Sequence, residues 1–163
     1  MSKDIDKFVR FANKLANEAR KISLFYFKKT LNIKSKSKTK FDPVTIADLA
    51  VQKKINSSIK YKYPYHSILG EELSIENKSD FEWCIDPIDG TKSYIQGVPL
   101  WGTLISLSKK DEIILGLVDI PALDERYIGF KKTAYKFVNG KKSVLKVKKN
   151  KKLKNAILNT TSP

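Results

Sequence analysis

The sequence predicts a layered α+β fold in which two helices pack against a sheet built mainly as a meander. Three observations carry the prediction. Ile5, Phe8, Phe11, Ala12, Leu15, Ala19, Ile22 and Phe25 recur at close to helical spacing with Lys and Arg between them. A second helical segment runs from about Ile46 to about Tyr61, with Ile46, Leu49, Ala50, Lys53/Lys54 and Ile59 divided between its faces. From Leu100 onward, β-branched and aromatic runs alternate with turn pairs. Helices first and strands afterwards make a layered α+β arrangement.

Each element has a local reason. Ser2 or Asp4 can cap the first helix. Residues 32–43 read as a Lys/Ser/Thr loop ending at Asp42-Pro43, and Thr45 can cap the second helix with Asp48 in its first turn. Ser67–Gly70 and Trp83–Ile85 read as short strands, each running into acidic residues. Leu100–Ser108 and Ile113–Ile120 form a hairpin about residues 109–112, and Glu125–Phe130 continues it. Ala134–Val138 pairs with Val144–Val147 across Asn139-Gly140, a strong turn signal. The last stretch begins a strand at Ala156-Ile157-Leu158 and stops at Thr160-Thr161-Ser162-Pro163. A domain seldom ends on a strand and an open turn, so the chain is expected to be cut short.

Composition narrows the class. With 163 residues, 41% apolar and 30% charged, the chain suits one soluble globular domain. No apolar run approaches the ~18 residues of a membrane span, and residues 1–30 hold no signal-peptide core. A membrane-surface role for the first helix is the weaker reading of its pattern. Cys84 is the single cysteine, which excludes an intrachain disulfide and a cysteine zinc site and suggests a cytoplasmic setting.

The formal net charge of +15 invites a nucleic-acid reading. Only Arg10, Arg20 and Arg126 among the 32 basic residues are arginines, however, and Arg is the usual bidentate phosphate and base ligand. The excess is also local: residues 131–154 hold eleven Lys and no acid, and residues 34–40 hold four more. A solvated Lys-rich surface accounts for it, with steering of anionic substrates as an additional role. One segment inverts the balance. Between Gly70 and Gly90 lie Glu71, Glu72, Glu76, Asp80, Glu82, Asp86 and Asp89 against Lys78 alone. Crowded carboxylates call for a cation or for separating water.

Glu71, Asp86 and Asp89 each follow a predicted strand end, where layered folds gather functional groups. Pro87 stiffens the turn between the two aspartates, whose spacing lets both face one cation, with the Ile88 carbonyl as a neutral ligand. Oxygen ligands without His or Cys favour Mg²⁺ over zinc or copper. Asp89 is placed to cap a helix at Gly90-Thr91, whose free N–H groups suit a phosphate. Taken singly, Asp-Pro-x-Asp-Gly is a common turn, Glu71-Glu72 a solvated pair and Thr45/Asp48 a helix cap.

Their joint order carries more. Pro43-Val44-Thr45-Ile46-Ala47-Asp48, then Gly70-Glu71-Glu72, then Asp86-Pro87-Ile88-Asp89-Gly90-Thr91 resembles the inositol monophosphatase family of Mg²⁺-dependent phosphatases. The continuation from Lys92-Ser93 to Gly102-Thr103 looks most like its bacterial histidinol-phosphatase branch. Inositol monophosphatases usually have Thr-Asn at 92–93, and adenosine bisphosphate phosphatases Lys-Glu. The resemblance extends through Gly116–Pro121 and Asn139-Gly140 to Thr160–Pro163.

The resemblance implies a sugar-phosphatase type αβαβα fold, truncated after its first α+β half. Residues 1–152 would be the N-terminal metal-binding domain and residues 153–163 the start of a second half, the whole being about two-thirds of one enzyme. It implies that Glu71, Asp86, the Ile88 carbonyl and Asp89 bind Mg²⁺, with two or three ions in the complete enzyme and Asp89 shared between them. Glu71 and Thr45 would orient and deprotonate the attacking water, Asp48 would hold Thr45, and Gly90 and Thr91 would bind the substrate phosphate. Lys38 matches a family lysine weakly. Two departures stand out: the family's later Trp-Asp motif is absent, and Lys131-Lys132-Thr133-Ala134 stands where the family has a glycine before the Asn-Gly turn. The expected activity is hydrolysis of a small phosphate monoester, first histidinol phosphate, alternatively inositol 1-phosphate or adenosine 3′,5′-bisphosphate, with weak or no turnover by this chain alone. The family is often dimeric, so a homodimer stays open. From another class, the chain could be a non-catalytic basic binding module.

Overall fold

A computed structural model describes residues 2–29, 33–35, 43–147, 152, 156 and 157. The first helix, α1, spans Ser2–Tyr26, so Ser2 and Asp4 lie inside it, Asp4 in its first turn, and neither is the cap that was expected. Ile5, Phe11, Leu15 and the alanines 12, 16 and 19 are buried, the alanines letting the helix approach its neighbours closely. Phe25 stays largely exposed at the far end. Because the apolar face of α1 is covered by protein, it does not present a membrane-surface stripe. Among the described residues no helix is long and apolar enough to cross a membrane.

Strands β1 (Ile33–Ser35) and β2 (Pro43–Thr45) pair antiparallel where a loop was expected. Helix α2 spans Ile46–Lys62. Its buried stripe is Ala47, Val51, Ile55 and Ile59, a strict i, i+4 series, while Ile46 and Leu49 are 51% and 43% exposed. The core face, which the sequence pattern did not single out, also takes in Gln52 and Asn56, which are buried beside that stripe and bond each other at 2.8 Å. Asn56 Nδ2 also donates to the Leu73 carbonyl at 2.9 Å. A bonded polar pair can thus occupy positions that a hydrophobicity pattern assigns outward, although Gln52 Oε1 is left without a partner.

The main sheet has seven strands in sequence order: β3 (Ser67–Gly70), β4 (Phe81–Asp89), β5 (Gly102–Lys109), β6 (Glu112–Ile120), β7 (Glu125–Phe130), β8 (Thr133–Val138) and β9 (Lys141–Leu145). Among the described residues only the β3–β4 pair is parallel. Trp83 and Ile85, Ile105 and Leu107, Leu115 and Leu117, and Ile128 alternate onto the face that packs on α1 and α2. β4 runs four residues past its predicted end, since Asp86 and Asp89 remain paired to Leu104 and Gly102 across a bulge. Pro87 fits there because a bulge leaves an N–H unpaired. β9 begins at Lys141 because the two-residue Asn139-Gly140 turn sets the register Val138↔Lys141. The C-terminal strand predicted at 156–158 and the boundary at 152/153 fall largely outside the described residues.

A buried ion network fastens α1 to the meander. Asp119 in β6 is fully buried and accepts from Arg20 Nη2 at 2.7 Å and Nε at 3.0 Å, and from Arg126 Nε at 2.8 Å. Arg20 also bonds Asp124, and Arg126 reaches Asn13 and Asn17 on α1. Two of the three arginines therefore hold one carboxylate instead of facing solvent. Removing Asp119 would leave two desolvated guanidinium groups, so Asp119→Ala is expected to cost about 3–5 kcal/mol in denaturant unfolding.

The β7–β8 turn shows a different local cost. Lys131 (φ 49°) and Lys132 (φ 61°) adopt the left-handed region that Asn139 (φ 47°) and Gly140 (φ 73°) occupy in the next turn. Lysine is the poorer choice there. Lys131→Asn/Lys132→Gly is expected to stabilise by about 1 kcal/mol, raising Tm by about 2–4 °C in a thermal melt.

Candidate active site

The site forms where the C-terminal ends of β3 and β4 meet the start of α2. Glycine at 70 is required, because a Cβ there would lie 2.3 Å from the Leu73 carbonyl and 2.7 Å from Gln52 Nε2. That close approach turns the chain so that the Glu71 N–H donates to the Ile85 carbonyl at 3.0 Å, setting Glu71 beside the end of β4. Under the bulge, Ile88 packs with Ala47, Tyr94 and Trp101, so its side chain is an anchor. The hydroxyl of Thr103 donates to the Pro87 carbonyl at 2.9 Å and fixes the bulge from β5.

Three carboxyl groups converge here. Glu71 hydrogen-bonds Asp86, and Asp89 adds its charge to the same corner. Asp86 Oδ1 is buried with no hydrogen-bond partner. Burial first, and then Glu71 and Asp89, push the Asp86 carboxyl from 3.8 up to about 8, against a smaller pull from the Ile88 N–H. In this state the repulsion is relieved by a retained proton. Among the described residues no three His, Cys, Asp or Glu side chains form a ready-made metal cage. The donor set nonetheless fits a hard divalent cation: an orphaned carboxylate oxygen, two adjacent carboxyl groups, and no nitrogen or sulfur competitor.

Beside this corner, Thr45 and Asp48 form a capping box. Asp48 Oδ2 accepts from Thr45 Oγ1 at 2.5 Å and from Thr45 N at 2.8 Å, while Ala47 N donates to Thr45 Oγ1 at 3.1 Å. Both residues are buried. Burial raises the Asp48 carboxyl above its ordinary value, the Thr45 bonds oppose this, and Glu72 adds a smaller upward push. The hydroxyl proton of Thr45 is therefore committed to Asp48, which leaves its oxygen as an acceptor.

Helix α3 (Thr91–Ile95) corrects one expectation. Its N-cap is Gly90 at φ 87° without a side-chain cap, so Asp89 ends β4 and does not cap the helix. A Cβ at Gly90 would approach the Leu100 carbonyl at 3.0 Å, so the left-handed turn and the tight contact both require glycine. Thr91 Oγ1 donates to the Ile88 carbonyl at 3.1 Å, which ties the predicted carbonyl ligand to the predicted phosphate residue. Lys38 lies outside the described residues. Tyr94 was not anticipated: its buried hydroxyl donates to the Ser23 carbonyl of α1 at 2.7 Å and joins the site to the first helix. Its only sequence signal is an aromatic at the end of a short helical turn.

A helix-backed sheet whose strand ends gather carboxyl groups beside a capped helix defines a layered α+β protein with a candidate cation site. The chain belongs to the inositol monophosphatase family, whose model matches residues 4–163. It is 40% identical over 163 residues to the chloroplastic bifunctional phosphatase IMPL2 of Arabidopsis thaliana, covering 98% of this chain and 46% of that protein. A Streptomyces coelicolor histidinol-phosphatase is 38% identical over 123 residues, 73% of this chain and 46% of that one. Among solved structures, a Thermotoga maritima IMPase superposes with TM-score 0.73 at 32% identity, over 83% of this chain and 52% of that one. The chain spans about half the length of these relatives, less than the motif order suggested.

The folded protein keeps the Asp86 proton to about pH 8, whereas the unfolded chain releases it near 3.8. In between, the folded state binds more protons, so stability falls as pH rises through that window. Without divalent cations, Asp86→Asn is expected to raise Tm at pH 8 and to change it little near pH 4. An equal shift at both pH values in thermal melts would contradict the assignment.

Proposed function

We propose that this chain carries the cation-binding part of a Mg²⁺-dependent phosphate monoester hydrolase, with histidinol phosphate as the preferred substrate. The observation that carries the reading is the orphaned Asp86 Oδ1 in a corner shared with Glu71 and Asp89. Glu71, Asp86, Asp89 and the Ile88 carbonyl would hold Mg²⁺. Bound there, the ion supplies charge neutralisation, a more acidic bound water and stabilisation of the developing phosphoryl charge. Thr45 offers its oxygen to the attacking water, because its own proton is held by Asp48. Asp48 thereby orients Thr45 and takes its hydroxyl proton as the Thr45 oxygen takes one from the water. Gly90 and Thr91 would receive the substrate phosphate through the backbone N–H groups, and through the Thr91 hydroxyl once it turns away from the Ile88 carbonyl. The substrate choice is supported by Lys92-Ser93 in the continuation of the third motif and by the likeness to a histidinol-phosphatase. Inositol 1-phosphate is the second reading, favoured by 40% identity over 106 residues to the inositol monophosphatase 1 of Rattus norvegicus.

Because the chain spans about half of its relatives, weak turnover by itself is part of the proposal. In calorimetry, Mg²⁺ is expected to bind the chain and Asp89→Asn to weaken that binding by about 10–100-fold. With Mg²⁺ present, histidinol phosphate is expected to give the highest kcat/KM among histidinol phosphate, inositol 1-phosphate and adenosine 3′,5′-bisphosphate. An equal or higher value for inositol 1-phosphate would overturn the substrate choice. Salt-sensitive polyanion binding that ignores both Mg²⁺ and Asp89→Asn, without turnover, would instead make the chain a basic binding module.

A further inference from the structure

The end of the sheet farthest from Asp89 holds a second feature that the phosphatase reading does not use. The first turns of α1, the start of β4 and the β5–β6 and β7–β8 turns surround an open cavity of about 670 Å³. Phe81 and Asp89 stand at opposite ends of β4, eight residues or about 26 Å apart, so the cavity is separate from the carboxylate corner.

Its wall is apolar and stiff. Phe8 and Phe81 lie 5.4 Å apart, and Phe81 is stacked from behind on His66, which is itself stacked on Tyr63. Trp83 Nε1 donates to His66 Nδ1 at 3.1 Å and fixes that ring in place. Ile114 continues the wall, and Ile113 is 74% exposed beside it. An isoleucine this exposed next to a preformed aromatic surface leaves apolar area available for a ligand.

The rim is basic, formed by Lys7, Lys109, Lys131 and Lys132, with Asp4 as its one acid. Lys7 pairs with Asp4 at 3.5 Å and Lys131 with Asp6 at 3.0 Å. Lys109 Nζ lies 5.2 Å from the Phe81 ring centre, which puts a cation at the edge of the apolar wall. Among the described residues neither Lys109 nor Lys132 is in an ion pair, so the rim carries net positive charge after its acids are counted. Lys131 and Lys132 also occupy left-handed backbone positions that asparagine and glycine would take more easily. The same chain uses that easier pair at 139–140, at the other end of the sheet. Lysine stands at positive φ elsewhere in this chain too, at Lys28 and Lys110, so what this turn adds is two cations beside the apolar wall.

We propose that this cavity binds a small amphiphilic anion, an alkyl or aryl body bearing a carboxylate, sulfonate or phosphate. The body lies on Phe8, Phe81, Ile113 and Ile114, and the head group meets Lys109 and Lys132. Apolar wall and cationic rim are adjacent, so one molecule satisfies both, whereas an inorganic anion would leave the wall wet.

The test uses decanoate below its micellar range, with decanol and acetate as probes that lack the charge or the body. Calorimetry is combined with amide shift mapping on the labelled chain. Decanoate is expected to bind one to one and to shift the amides of Phe81, Ile113 and Lys132. Lys131→Asn/Lys132→Gly, a turn pair the fold already uses, is expected to weaken binding by about ten-fold while the protein remains folded, and Ile113→Ser to weaken it separately. Decanol binding as tightly as decanoate, unchanged affinity in both variants, or shifts confined to other lysine-rich surfaces would each overturn the proposal. So would a response of the same amides to anionic vesicles or an acidic peptide but not to decanoate.

Discussion

Like-charge crowding at the end of β4 is the constraint around which the rest of the structure is arranged. Asp86 is held against Glu71 and near Asp89 in a place that burial makes poorly suited to charge. Carboxyl groups do not gather in this way from local propensity. The backbone must force them together: Gly70 turns the chain against Gln52, Pro87 sits in the bulge, and Gly90 accepts a left-handed conformation under the Leu100 carbonyl. The Ile88 side chain, packed with Ala47, Tyr94 and Trp101, resists the splaying that repulsion would otherwise cause.

That corner is stable only because the layers beneath it are fastened independently. The Asp119 network joins α1 to β6 and β7, and the Tyr94 hydroxyl joins α3 to α1 at the Ser23 carbonyl. The capping box at Thr45 serves fold and chemistry together. It ends the exposed N–H groups of α2 and aims one hydroxyl proton at Asp48. A helix cap and an oriented acceptor are thus the same three atoms, which is why neither role can be inferred from the motif alone.

Much of this was legible in the sequence. Period-2 alternation and the Asn139-Gly140 turn placed the meander, because strand faces and type I′ turns are encoded by neighbouring residues. The order of Thr45/Asp48, Glu71 and Asp86/Asp89 located the carboxylate corner. What escaped was set by distant parts of the chain. The core face of α2 was not legible because Gln52 and Asn56 are buried as a bonded pair, which a polarity pattern counts as outward. Asp89 was expected as a cap because the bulge that keeps it in β4 depends on pairing with Gly102. The arginines were first weighed as surface charge, yet Arg20 and Arg126 are drawn inward by Asp119, 99 and 7 residues away in sequence. The net charge remains a property of the lysines, and the function proposed for the carboxylate corner rests on its few acids.

The central claim is that Asp86 is kept protonated by crowding and burial and that a divalent cation replaces the proton. The most direct measurement is an NMR titration of the Asp86 side-chain carboxyl carbon, with and without Mg²⁺. The account predicts a midpoint near the raised value of about 8 without the ion and a displacement well below it when Mg²⁺ is added. A midpoint in the ordinary carboxylate range that Mg²⁺ leaves unchanged would contradict it.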